Sequence, residues 1–229
     1  MTYDIEEIKE VLDKTHLREH LNRHHDFNYG DVSMITNYLP EGWDVSAGCT
    51  KCVIIPPEDH DYVIKIPFNT DYYEDDDSEE GYSPLEYGHL PLSDEYTGDY
   101  CAVEEEYSYL AEQEGVDEFF ALTKCVGYVF DNTLPVYVQE RCSGLNYSTP
   151  PSSPATRHTA KELKDKSATL YNFRTDFLEA SVLVYGEEAL KKLDRFIENW
   201  EVKDLHEGNY GYKYNTFIPK IFDFSGYDE

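Results

Sequence analysis

Apolar residues recur at helical spacing near the N-terminus: Ile5, Ile8, Val11 and Leu12, then Leu17 and Leu21. This period predicts a helix over residues 4–25. Beyond residue 42 the pattern changes. Val53-Ile54-Ile55 is an apolar run and Pro56-Pro57-Glu58-Asp59-His60 is a turn signal. Tyr62-Val63-Ile64-Lys65-Ile66-Pro67-Phe68 follows as a second run. Residues 43–68 therefore predict a β-meander. Val103, Tyr107, Leu110 and Ala111 define one face of a helix over residues 100–115, which Gly115 ends. Residues 119–130 and 134–140 read as strands about the turn Asp131-Asn132-Thr133. Residues 143–157 form a Ser/Pro-rich connector. Helices are predicted over 158–172 and 176–199, the second carrying a stripe of Leu190, Leu193, Phe196 and Ile197. The expected class is α+β, with a helical segment over 1–42, a unit over 43–141 and another over 142–229.

Charge narrows the choice of partners. The 229 residues hold 19 Lys and Arg against 47 Asp and Glu, a net charge of −28. A direct nucleic-acid partner or an anionic membrane surface needs a basic footprint, so neither is expected. No apolar run approaches the ~20 residues of a membrane span. The opening MTYDIEEIKE lacks the apolar region of a signal peptide, so a cytoplasmic location is expected. The five cysteines are then expected as reduced thiols. Cys49-Thr50-Lys51-Cys52 is a lone CxxC without the second pair a zinc site wants, and reads as strand positions about a turn. His16, His20 and His24 recur at four-residue spacing, with His25 adjacent. They read as a polar helix face, with metal chelation the rival reading. No Lys or Arg falls between Lys65 and Lys124. The acidic residues around 71–80 lie in a stretch, 69–98, that reads as a solvated insertion. A divalent-ion trap and a mimic of phosphate charge are its functional rivals. The sequon at Asn146 is read as chance.

Lys65 is the first residue that asks for chemistry. An ammonium in the middle of an apolar strand is costly to bury without a partner. Near the C-terminus stand Asp204-Leu205-His206-Glu207-Gly208-Asn209 and Asp223-Phe224-Ser225-Gly226, the latter after the apolar strand Pro219-Lys220-Ile221-Phe222. These motifs resemble the D-L-H-x-G-N and D-F-x-G loops of the protein-kinase-like fold, especially its compact branch related to aminoglycoside and choline phosphotransferases. Val63-Ile64-Lys65 resembles the third-strand V-x-K. The 100–115 helix resembles the αC helix, and Val136-Tyr137-Val138-Gln139-Glu140 resembles the strand entering the hinge. The resemblance covers residues 43–229 apart from the acidic stretch. It implies an antiparallel-sheet N-lobe and a reduced, mainly helical C-lobe.

The resemblance also implies roles, which follow the logic of phosphoryl transfer. Lys65 would bind the α and β phosphates of ATP. A helix glutamate would hold it: Glu106 fits best, because Tyr109 and Leu110 follow it, and Glu104 or Glu105 are the alternatives. Asp223 would ligate Mg²⁺, and Asn209 would hold the loop and a second metal ion. Asp204 would accept the proton of an attacking hydroxyl. His206 would sit near the γ-phosphate. Gly48, in Ser46-Ala47-Gly48-Cys49-Thr50-Lys51, would line the phosphates with Lys51 compensating electrostatically. Backbone groups at Glu140 and Arg141 would meet adenine. The chain departs from the pattern in four places. The phosphate loop has one glycine. Val202 and Lys203 replace the His-Arg of H-R-D. Ser225 displaces the D-F-G glycine, and only six residues follow Asp223. The nucleotide half of a site is therefore expected, with the acceptor half mostly missing. Three functions compete: an ATP-dependent phosphotransferase, a nucleotide-binding regulator that transfers nothing, and an acidic nucleic-acid mimic. A protein partner would dock on the acidic stretch or the N-terminal helix.

Overall fold

A computed structural model describes residues 3–19, 32–48, 50–68, 99–129, 134–145 and 152–224. The acidic stretch 69–98, His20, His24, His25, Cys49, the turn 131–133, the Asn146 sequon, Ser225 and Gly226 lie outside the described residues.

The N-terminal helix α1 (Ile5–Asp13) is shorter than its apolar stripe suggests. Asp4 caps it by accepting from the Glu6 N–H at 2.9 Å. His16 takes a left-handed φ of 57°, which breaks the helical path. Ile8, Val11 and Leu12 are buried. A further helix, α2 (Val32–Tyr38), lies beyond the helix expected over 4–25 and inside the helical segment expected over 1–42.

Five antiparallel strands follow: β1 (Asp44–Ala47), β2 (Lys51–Ile55), β3 (Tyr62–Pro67), β4 (Thr123–Val129) and β5 (Leu134–Glu140). Their order across the sheet is β1-β2-β3-β5-β4. The meander and both later strands stand where the pattern places them, and β3 is buried along its whole length. Between β3 and β4 runs the helix α3 (Tyr100–Glu114). Asp99 caps it by accepting from the Cys101 and Ala102 N–H groups, and Gly115 closes it in the left-handed conformation.

The C-terminal part holds α4 (Pro154–Lys166), α5 (Thr175–Tyr185) and α6 (Glu187–Trp200). The single helix expected over 176–199 is two, because Gly186 adopts a φ of 88° and turns the chain. A small sheet, β6 (Cys142–Gly144), β7 (Tyr210–Lys213) and β8 (Pro219–Ile221), carries the residues beyond the helices. Gly211 permits it: a Cβ there would lie 2.1 Å from the Ser143 carbonyl oxygen.

Among the described residues two apolar clusters form. One joins Ile8, Leu12 and Ile35 to the sheet residues Ile54, Ile64, Ile66, Val136 and Val138. The other gathers the C-terminal helices with Phe120, Tyr210, Ile221 and Phe224. Helix α3 belongs to the second cluster through Val103, Tyr107 and Ala111, so it bridges sheet and helices. The Tyr107 hydroxyl donates to the Trp200 carbonyl at 3.1 Å, and the Ala121 N–H donates to the Ile221 carbonyl at 2.7 Å. None of the described helices is long and apolar enough to cross a membrane.

Candidate functional site

The site starts from the register of β2 on β3. Val53 lies opposite Lys65, and Lys51 is two residues from Val53, so both lysines project from one face of the sheet. Both are 3% exposed. Their shared partner is Glu104 on α3, which is fully buried. Lys65 Nζ donates to Glu104 Oε1 at 2.9 Å and Oε2 at 2.7 Å, and to the Phe222 carbonyl at 3.0 Å. Lys51 Nζ donates to Glu104 Oε1 and to Asp223 Oδ1, each at 2.6 Å. The Thr123 hydroxyl adds a bond to Glu104 Oε2 at 2.9 Å, and Gln139 Nε2 donates to Thr123 Oγ1 at 2.8 Å.

Two ammonium groups thus face two carboxylates, with Lys51, Lys65 and Glu104 buried and Asp223 open to the cleft. Burial favours the neutral form of Lys51, but Asp223 and Glu104 outweigh it and hold the ammonium above its ordinary range. Burial likewise pushes the Asp223 carboxyl up, and Lys51 and Lys65 overcome this, keeping it well below the usual carboxylate range.

The opposite wall is the loop after α6. Glu201 takes a left-handed φ of 48°, and Asp204 does so at 59°, a strained conformation for a residue with a Cβ. Asn209 holds this turn: its Nδ2 donates to the Asp204 carbonyl at 2.7 Å. The Asn209 carbonyl accepts from the N–H groups of Phe222 at 2.9 Å and Asp223 at 3.2 Å, fixing one loop to the other. Phe224 anchors the second loop in the core, with its ring 5.0 Å from Phe120 and 6.4 Å from Tyr107. His206 Nε2 lies 3.3 Å from Asp204 Oδ1. Burial, then the Asp223 charge, raise the Asp204 carboxyl to about 6, against a smaller opposing pull from His206.

A cleft of about 770 Å³ brings together Ser46, Gly48, Lys51, Lys203, Asp204, His206, Asn209 and Asp223. A narrower, more apolar cavity of about 290 Å³ shares Ser46, Val53 and Asp223 with it. It is also lined by Ile55, Val63, Cys142 and Phe222. Strand β6 forms its edge. Ser143 faces Tyr212 across the ladder, and the Arg141 carbonyl accepts from the Tyr214 N–H at 2.9 Å. Ladder alternation then turns the Cys142 N–H and C=O away from β7.

Several sequence expectations need correction. Glu104, not Glu106, pairs with Lys65, and Glu105 accepts from the Cys125 N–H at 2.7 Å. The Tyr109 that recommended Glu106 is 54% exposed, so that face of α3 looks outward. The face that meets the sheet carries Glu104 and Ser108, which bond to Lys51, Lys65 and Thr123. Lys51, expected to compensate electrostatically for the glycine-poor loop, sits at the head of β2 and points inward to Glu104 and Asp223. Gly48 lies in the β1–β2 turn, with its N–H donating to the Lys51 carbonyl at 3.0 Å. The Glu140 side chain meets Lys213 and Lys220, and the Arg141 N–H donates to the Asp61 carbonyl at 2.8 Å. With the Arg141 carbonyl also bonded, Cys142 is the edge residue whose backbone faces away from the sheet. Thr123 and Gln139 were not among the expected site residues; each sits near one end of its strand beside a charged residue, Lys124 or Glu140, so neither stood out.

A divalent cation with hard oxygen preference suits the loop chemistry in part. Asp223 offers a carboxylate. The Asn209 amide donates through nitrogen to Asp204, which leaves its oxygen as an acceptor. Among the described residues no group of three or more His, Cys, Asp and Glu is arranged to hold a metal ion alone. Such a pair of donors suits Mg²⁺ that completes its shell with phosphate and water. Comparison with known protein families, curated proteins and solved structures returns no match.

Glu104→Gln should destabilise the fold by about 3–5 kcal/mol in denaturant unfolding, because two buried ammonium groups lose their shared charge. Glu106→Gln should stay within about 0.5 kcal/mol. The raised Asp204 carboxyl binds its proton more tightly folded than unfolded. Its contribution to stability is therefore full below the ordinary carboxylate range and is lost as pH rises towards about 6. Carboxyl NMR should place its midpoint there, and Asp204→Asn should flatten that part of the stability profile.

Proposed function

We propose that this chain is a kinase-like protein that binds ATP with Mg²⁺ and transfers the γ-phosphoryl group to a hydroxyl acceptor. The observation that carries the reading is the Lys65–Glu104 pair beside Asp223, with Asp204 and Asn209 facing it across one cleft. The sheet order, and a helix between the third and fourth strands supplying the glutamate, support the kinase-like assignment made from the motifs.

In this reading Lys65 binds the α and β phosphates, and Glu104 keeps its ammonium charged and aimed. Asp223 and Asn209 would hold Mg²⁺, whose charge would offset that of the phosphates. The adenine ring enters the apolar slot between Val53, Val63 and Phe222. There the Cys142 backbone offers a donor and an acceptor, in place of the expected Glu140 and Arg141. Asp204 accepts the acceptor's hydroxyl proton. With its carboxyl near 6, it is mostly ionised at neutral pH and matched to that task. His206 and Lys203 face the same cleft.

A nucleotide-binding regulator without transfer is the second reading. It is favoured by the single glycine of the β1–β2 turn and by Lys51 lying on Asp223. Titration calorimetry on the full chain separates the readings from their common premise. ATP should bind with Mg²⁺ and lose about tenfold or more in affinity in Asp223→Ala, the scale set by one metal-ligand charge. Absence of binding at millimolar ATP would defeat both. Asp204→Ala should keep nucleotide affinity while losing phosphoryl transfer by about 10²–10⁴-fold if the enzyme reading holds.

A further inference from the structure

Lys51 has no part in the roles just assigned, yet it occupies the centre of the site. Its Nζ is 2.6 Å from Asp223 Oδ1, the carboxylate that in the proposed function holds Mg²⁺. An ammonium at that distance and a divalent cation cannot share the carboxylate without strong like-charge repulsion. Its second bond goes to Glu104, but Glu104 also holds Lys65 through both oxygens and accepts from Thr123. Glu104 therefore keeps a counter-ion when Lys51 departs. Lys65 is tied further, to the Phe222 carbonyl, whereas Lys51 lines the open cleft. The long flexible stem of lysine lets its head group move several ångströms without backbone change.

We propose that Lys51 is an exchangeable counter-ion: it excludes a metal ion from Asp223 until an incoming nucleotide phosphate draws its ammonium away. The inference rests on the nucleotide reading above and adds an order of binding to it. Metal alone would strand a buried ammonium beside the single Glu104 charge, which is costly. Nucleotide and metal together replace both lost interactions, since phosphate takes the ammonium and metal takes the carboxylate. Lys51 then also supplies phosphate contacts where the β1–β2 turn offers only one glycine, Gly48.

The test is Mn²⁺ binding by electron paramagnetic resonance on the full chain, with and without the β,γ-methylene analogue of ATP. Wild type should take Mn²⁺ about tenfold or more weakly without the analogue than with it, the scale on which one adjacent charge changes a carboxylate's occupancy. Lys51→Met should bind Mn²⁺ alone about tenfold more tightly than wild type and the analogue about tenfold more weakly. Lys51→Arg, which keeps the charge, should still exclude Mn²⁺. Wild type that binds Mn²⁺ equally with and without the analogue overturns the proposal. So does an unchanged Mn²⁺ affinity in folded Lys51→Met. Binding of analogue and Mn²⁺ with no mutual dependence overturns it while leaving the nucleotide reading intact. Failure of the analogue to bind wild type at all defeats that reading and this proposal with it. If Lys51→Met does not fold, the wild-type dependence on analogue and the Lys51→Arg result decide.

Discussion

One buried carboxylate organises this molecule. Glu104 receives Lys51 from β2, Lys65 from β3 and Thr123 from β4, and Gln139 of β5 braces Thr123. Four strands of the larger sheet thus converge on a single helix residue. Burial of so many polar groups is tolerable only if each finds its partner, since an unpaired charge in this setting is costly by several kcal/mol. The requirement fixes the rotation and depth of α3 against the sheet. Its ends are held independently, by Tyr137 donating to the capping Asp99 at 2.8 Å and by Trp200 Nε1 donating to Glu114 at 2.7 Å.

The same cluster reaches the second half of the chain through Asp223 and the Phe222 carbonyl. From there the Asn209 carbonyl accepts two backbone N–H groups and its side chain holds Asp204. Phe224, buried among Phe120 and Tyr107, prevents the Asp223 loop from drifting. Three acidic side chains of different character result. Glu104 is sealed, Asp223 is kept anionic by lysines, and Asp204 is poised near 6. Divergent environments for neighbouring carboxylates are a mark of functional sites.

Much of this was legible in the sequence. Alternation and turn chemistry located β1 to β5, and helical periodicity with Gly115 located α3. The isolated Lys65 in an apolar strand announced a buried charge and hence a partner. The choice of partner was not legible, because three consecutive glutamates point about 100° apart and only tertiary packing selects among them. Tyr109 and Leu110 looked like core neighbours of Glu106, but Tyr109 projects outward, while Glu104 and Ser108 make the bonds to the sheet. The burial of Lys51 was hidden for a related reason. A lysine three residues past Gly48 reads as a loop cation until the β2–β3 register places it on the face of Lys65. The division of the expected helix at Gly186 depended on a φ that a glycine permits but does not announce.

The central claim is that the Lys51–Glu104–Lys65–Asp223 cluster is the floor of a nucleotide site. A crystal structure of the chain with Mg²⁺ and a non-hydrolysable ATP analogue tests it most directly. The expected result is phosphate on Lys65 with the Lys65–Glu104 pair retained, the base between Val53 and Phe222, and Lys51 moved from Asp223 to phosphate. An analogue bound elsewhere, or a cleft still closed by the Lys51–Asp223 pair at saturating analogue, would contradict it.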